Sequence, residues 1–452
     1  MKRALYLLAS LVCAAACDVP EPADDAGNAD VDAGDIDAAA GDANVDAGVD
    51  STERIPSSTD PCLMPRYWPR SVGSATYPVM VHYRTLAEDA TARAALGYLE
   101  TAWQVEIIDL GFTPPLPDQG HCGPDDRFDA FLWAGNGECF VTVGDDNPAT
   151  AWDDYYSYMV VDQDSEFAGI HLDATIAHEF NHASQASDDW WETPCFFEWS
   201  AQFIENVVVD ADDAYLEYLP DFQSKPDLSI DYNDDYDTWY MYGGMLYLQF
   251  LQKRYFAGSA SFLAEIWRQV RNPPGADSDP ALNEPDFEDA LEAMLWSRQS
   301  VHFADTVAEF ARWRYFTGSR DDGLHLPDAD LFDALSSVRI ATQVNAAAGT
   351  TALSPAPMRY GNAYVQITGQ ANASVSISID TSAAPAARWL VQAVPGLTAG
   401  SDGDLVDVSG GAANVQLGAD GKRVVVVTVL PSGSDDPDTR ANTRYPVSLV
   451  IH

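Results

Sequence analysis

Apolar residues recur along this chain with two different periods, and the places where the period changes divide it. Residues 77–83 alternate apolar and polar positions as a strand does, and residues 87–105 read as an Ala-rich helix. A Pro-rich turn covers residues 113–117. Residues 128–133, 139–143 and 158–161 then read as short strands. From there helical spacing takes over. Ile176, Phe180 and Ala183 recur at i, i+4 and i+7, behind Asp173 or Thr175 as a cap. Phe197, Ala201, Ile204 and Val208 mark a second apolar face, and residues 240–256, 261–271 and 302–315 continue the helical pattern. Beyond about residue 340 the short β-rich runs return, at 363–368, 374–380, 389–394, 414–417, 423–430 and 445–451, between Gly, Pro, Asp and Ser turns. That spacing predicts an antiparallel β-sandwich. The fold class is α+β: a mixed-sheet lobe, a helical lobe, then the sandwich.

The first sixty residues follow different rules. Met1-Lys2-Arg3 and an apolar run to Ala16 have the form of an export signal, too short to span a bilayer. Ala14-Ala15-Ala16-Cys17 resembles a lipobox with Ala in place of the usual Leu, so the mature chain is expected to begin at a lipidated Cys17 and to be held at a membrane in the cell envelope. Ordinary cleavage near the same point would instead release it. Residues 18–50 hold eleven acidic residues and no Lys or Arg. They bury too little apolar surface to fold and read as an extended linker. A Ca2+-binding repeat is the sharper reading of these Asp residues, but the ligand spacing and fixed Gly of such loops are missing. The domain plan is therefore a signal peptide (1–17), an acidic linker (18–60), a metallopeptidase-like domain (61–338) and a β-sandwich (339–452). A formal charge of −46 excludes nucleic acid as a partner. Cys62, Cys122, Cys139 and Cys195 lie in the exported part, where four cysteines suggest two disulfides. A bridge at Cys195 would brace the second helix of the site described next.

The chemistry concentrates in His178-Glu179-Phe180-Asn181-His182. Residues i and i+4 of a helix share a face, so His178 and His182 can grip one Zn2+ together, with Glu179 beside it as a general base for water. Sixteen residues after His182, Glu198 stands on the next helical pattern, on a face it shares with Gln202 and Glu205. A catalytic zinc takes three protein ligands and keeps one open position, and Glu198 completes a His2Glu set. Two neutral imidazoles and one carboxylate leave the centre with a net charge of about +1, so the ion stays a Lewis acid. The remaining histidines (His82, His121, His171, His302, His325 and His452) lack a partner at ligand spacing and read as structural or exposed.

These residues resemble the gluzincin class of zinc metallopeptidases, in which HExxH is followed by a glutamate on the next active-site helix. Within it the chain is most similar to a group of secreted bacterial proteins with an HEFxHxxQ helix, a Trp-rich turn and a WLxExxAxWxE helix. Here the first part runs from His178 to Gln185, Trp190-Trp191 supply the turn, and Glu198, Ala201 and Glu205 match the second part. Phe196-Phe197 replaces Trp-Leu, and Phe203 replaces the later Trp. The resemblance covers about residues 77–315 and implies a zincin-like metallopeptidase domain with a mixed-sheet lobe and a helical lobe. It also implies His178, His182 and Glu198 as zinc ligands and Glu179 as base and proton shuttle. Where the class often places an acidic residue to hold the first His, this chain has Gln202, so that support falls to an amide or to Glu205. The Tyr or His that stabilises the oxyanion in such enzymes has no counterpart between His182 and Glu198; Tyr240 and Tyr242 are the candidates.

The expectation is a secreted, lipid-anchored zinc metallopeptidase acting on a peptide or protein substrate, with a sandwich that binds carbohydrate or protein. The alternative is a non-catalytic surface binding lipoprotein with a degenerate peptidase lobe. Glu179 favours the enzyme, since a binding protein has no use for the base.

Overall fold

The computed structural model describes residues 55, 60–135, 139–147, 149–164, 171–209, 214–233, 238–276, 283–397, 401–430 and 442–452. The signal peptide, the lipobox ending at Cys17 and nearly all of the acidic linker lie outside them. No helix among the described residues is long and apolar enough to cross a membrane.

The first lobe is a five-stranded mixed sheet of order β1-β2-β3-β5-β4, formed by β1 (Arg70–Gly73), β2 (Val79–Tyr83), β3 (Phe128–Leu132), β4 (Cys139–Asp146) and β5 (Tyr155–Val161). β2, β3 and β5 run parallel, while β1 and β4 pair antiparallel at the two edges. Alternation along each strand sends side chains to opposite faces. Val79, Val81, Phe128, Ala130, Met159 and Val161 meet the helices α1 (Asp89–Ala102) and α2 (Leu172–Ala186) on one face. Phe131, Tyr158 and Val160 face the other way, onto Tyr67, Trp68 and Trp133. A disulfide between Cys62 and Cys122 ties that second cover down. It is the only disulfide among the described residues. Cys139 and Cys195 remain buried thiols, Cys139 at an edge strand and Cys195 inside the aromatic core, so the second bridge is not formed.

The second lobe is helical. α3 (Pro194–Val208) leads into α4 (Leu219–Ser224), α5 (Tyr240–Gly243), α6 (Met245–Arg254), α7 (Ser261–Gln269), α8 (Phe287–Gln299) and α9 (Phe303–Trp313). The single helix expected over 240–256 is broken between Gly243 and Met245. A Cβ at Gly244 would overlap the Trp199 indole, so a glycine there lets the α5–α6 junction lie against α3. α8 is absent from the sequence reading, although Phe287, Leu291 and Leu295 line its buried face.

The C-terminal region forms two sheets around one apolar core. β6 (Thr342–Asn345), β8 (Asn362–Thr368), β10 (Arg388–Val394), β11 (Asp404–Leu405) and β13 (Lys422–Leu430) make the first; β7 (Gly349–Ala352), β9 (Ser374–Asp380), β12 (Ala413–Gln416) and β14 (Ser448–Ile451) make the second. Val365, Val391 and Val425 of one meet Ile377, Val415 and Leu449 of the other. The pairing is antiparallel throughout except that β6 runs parallel to β8, which corrects the wholly antiparallel expectation. The sheets are fastened to α9: Tyr364 donates to the Ala311 carbonyl at 2.6 Å and Gln392 to the Ala308 carbonyl at 2.8 Å. Arg312 meanwhile donates to Asp402 at 3.0 Å.

Candidate metal centre

α2 lies between the sheet and α3. Ile176, Ala177, Phe180 and Ala183 fill the core shared with the sheet, which turns the other side of α2 toward α3. The helix begins after His171, without a side-chain cap, so neither Asp173 nor Thr175 is the cap residue; Asp173 instead places its charge in the first turn, where the helix dipole favours it. α3 starts with Pro194 in its first turn, where a missing N–H costs nothing. The turn between the helices is held from outside: Asp188 accepts from Thr113 at 2.8 Å and from Arg271 at 2.6 Å. In the same turn, burial first and then the charge of Asp153 push the Asp189 carboxyl up to about 7.

His178, His182 and Glu198 converge in this interface. The His178 and His182 Nε2 atoms are 3.1 Å apart, and Glu198 Oε2 lies 3.2 Å from the first and 3.8 Å from the second. A four-coordinate ion with bonds of about 2.0–2.2 Å sets its ligand atoms about 3.3 Å apart. The three atoms thus fit one metal ion, and the group as a whole is buried. Glu179 follows His178 on α2, and each is 8% exposed.

Each histidine keeps its other nitrogen occupied. His178 Nδ1 lies 3.3 Å from Glu205 Oε2, and His182 Nδ1 lies 2.7 Å from Gln185 Oε1. The supports differ in charge, and the two rings shift in opposite directions. Burial would depress the His178 imidazole, but hydrogen bonds to Glu198 and Glu205 carry it well above its usual range. His182 has an amide for support, and burial takes it down to about 4. Glu198 resists its own burial, because the hydrogen bond from His178 and the charges of both rings hold its carboxyl low; Tyr242 also donates to it.

The residues named from sequence therefore separate. His178, Glu179, His182, Glu198, Glu205 and Tyr242 come together, with the Tyr242 ring stacked on His178 at 5.9 Å. Tyr240 lies in the core and donates to the Ser229 carbonyl at 2.8 Å, away from the cluster. Gln202 is buried with neither amide atom hydrogen-bonded among the described residues, so Glu205 rather than Gln202 supports His178. Gln185, Asn181 and Glu106 enter as residues the sequence reading did not assign. Gln185 had a signal, at i+3 from His182; Glu106, 75 residues before Asn181, had none. A second group, Asp118, Cys122 and Asp129, also draws its side chains together. There the Cys122 sulfur is in the disulfide, and Asp118 spends both oxygens on the Gly120 and Cys122 backbone N–H groups, which makes it a turn-fixing group.

No known protein-family model matches the chain, and no curated protein matches it either. What the cluster offers is a buried, metal-sized triad of donors with the Glu179 carboxylate alongside.

Proposed function

We propose that this protein is a zinc-dependent hydrolase of peptide bonds. The observation that carries the reading is the convergence of His178 Nε2, His182 Nε2 and Glu198 Oε2 to ligand spacing, with Glu179 next to them. Zinc bound there would act as a Lewis acid, able to lower a water's pKa from about 15.7 toward about 7 and to polarise a carbonyl. The chain's own groups do the rest. Glu179 accepts the proton of the attacking water and later gives it to the leaving amine. Tyr242, stacked on His178 and donating to Glu198 at rest, turns its O–H to the oxygen that gains charge as the carbonyl is attacked. Glu205 and Gln185 hold the Nδ1 protons of the two histidines, so that both Nε2 lone pairs face the ion. Near-complete burial of the cluster keeps bulk water out and strengthens each of these charges.

On this reading residues 61–338 form a zincin-like domain and residues 339–452 a β-sandwich. Lipidation at Cys17 would tether the enzyme at the cell envelope, and Cys17→Ser would release it. The deciding measurement pairs metal analysis of purified protein with cleavage of a diverse peptide library. One zinc per chain and cleavage abolished by a chelator are expected. Zinc binding without cleavage of any peptide would make this a binding protein, and absence of bound metal would remove the hydrolase reading altogether.

A further inference from the structure

A chain of hydrogen bonds leaves the metal centre on its His182 side and ends at Glu106. Asn181 Nδ2 donates to Glu106 Oε2 at 2.9 Å, and Gln185 Nε2 donates to Asn181 Oδ1 at 2.9 Å. Gln185 Oε1 then meets His182 Nδ1 at 2.7 Å. All four side chains are buried, three of them completely. Glu106 belongs to the π-helical stretch Trp103–Leu110 that continues α1, a form of helix found often at functional sites.

Such a chain has a direction, because an amide accepts at one end and donates at the other. An accepting oxygen at Glu106 makes Asn181 present its NH2 there and its carbonyl to Gln185. Gln185 must then turn its NH2 to Asn181 and its carbonyl to His182. The proton of the imidazole is thereby placed on Nδ1, and Nε2 is left with a lone pair facing His178 and Glu198. Gln185 Nε2 also donates to the Phe197 carbonyl at 3.2 Å and to Ser200 Oγ at 3.0 Å, contacts that ask for the same orientation. Packing does not account for Glu106. Its Oε1 is buried with no hydrogen-bond partner among the described residues, an unsatisfied polar group that destabilises the fold and that a Leu of similar size would avoid.

We propose that Glu106 is a positioning residue for the metal centre, acting through Asn181 and Gln185 to hold His182 in the Nδ1–H tautomer. The use of that tautomer rests on the metal-hydrolase reading; the direction of the hydrogen bonds does not. The effect is partial by construction, since Phe197 and Ser200 still hold Gln185 when Glu106 is gone.

The test uses the full-length protein with 15N-labelled histidine, metal-free at neutral pH, and reads the His182 tautomer from its two ring-nitrogen shifts. Zinc affinity is measured on the same samples by chelator competition with zinc chloride. Wild type should show the Nδ1–H form alone. Glu106→Leu should mix the tautomers and weaken zinc about 10-fold, the low end for loss of an outer-shell partner. Glu106→Gln, whose amide oxygen can still accept from Asn181, should restore both. A Glu106→Leu protein with wild-type tautomer and wild-type affinity overturns the proposal. If wild type binds no zinc but Glu106→Leu still mixes the tautomers, the positioning role stands and the metal reading falls. Should Glu106→Leu fail to fold, the double variant with Asn181→Leu, which leaves no orphaned donor at that end, is judged by the same two readouts.

Discussion

The α2–α3 pair and the C-terminal sheets bury opposite kinds of side chain. Between the helices lie His178, His182, Gln185, Glu198, Gln202 and Glu205, all buried; between the sheets lie valines, isoleucines and leucines. An apolar core is stabilised by every carbon it hides, at roughly 25 cal/mol per Å². A buried polar group contributes little net stability when satisfied and costs about 1–3 kcal/mol when not. The helix pair is therefore not self-supporting. It is held by the aromatic core beneath α3, by the sheet beneath α2, and by clamps such as Arg271–Asp188 on the turn between them. Stability is concentrated away from the place where chemistry is proposed.

Changes at the cluster should move function far more than folding, and the reverse should hold in the sheets. The largest effect is expected for Glu179→Gln. It should keep metal and fold, while cleavage of a peptide substrate falls about 10²–10⁴-fold, the usual contribution of a general base. Equal turnover by variant and wild type would show that Glu179 is not the base. Next comes Glu198→Ala, which removes a donor and should strip the metal from purified protein, since two ligands hold zinc far more weakly than three. Full metal content in that variant would point to a different third ligand.

In the sheets the expected loss is of stability alone. Ile377→Ala, at a fully buried site, should cost about 2–5 kcal/mol in denaturant unfolding with metal content unchanged. Gln202→Leu between the helices should do the opposite and raise stability by about 1 kcal/mol, because it deletes two buried polar atoms that lack partners. If both variants shift stability in the same direction, the two interfaces do not differ in this way.

A further expectation concerns pH. Asp189 has its carboxyl raised to about 7 in the fold against about 3.9 unfolded. The folded protein holds that proton more tightly, so its contribution is full below about pH 4 and is lost as pH rises through 7. Asp189→Asn should flatten this slope in a series of thermal unfolding curves between pH 4 and 7. An unchanged slope would place the burden on other buried carboxylates.

How much of this was legible in the sequence depends on how local each signal was. His178 and His182 are one turn apart, and Glu198 shares a helix face with Glu205, so spacing alone brings them into view. Choosing between Gln202 and Glu205 needed the rotation of α3 against α2, which no periodicity reports. Separating Tyr242 from Tyr240 needed the same information: the residues are neighbours on one short helix, yet one ring lies on His178 and the other in the core. Glu106 was illegible because its meaning comes wholly from contacts 75 residues away. The short strands β6, β7 and β11 leave only a weak signal in the sequence, since they have two to four residues and largely exposed side chains. The parallel pairing of β6 with β8 depends on tertiary contacts alone.

The disulfide near the start of the described fold carries a mechanical consequence. Cys62 is bonded to Cys122 in the loop just before β3, the middle strand of the first sheet. A pull on the chain from its N-terminal side reaches this covalent link before it reaches β1, the edge strand. The force then passes directly toward the centre of the sheet, where strands must slide past one another, instead of unzipping the edge one hydrogen bond at a time. Reduction of that bond would turn a shear-resistant attachment into one that peels.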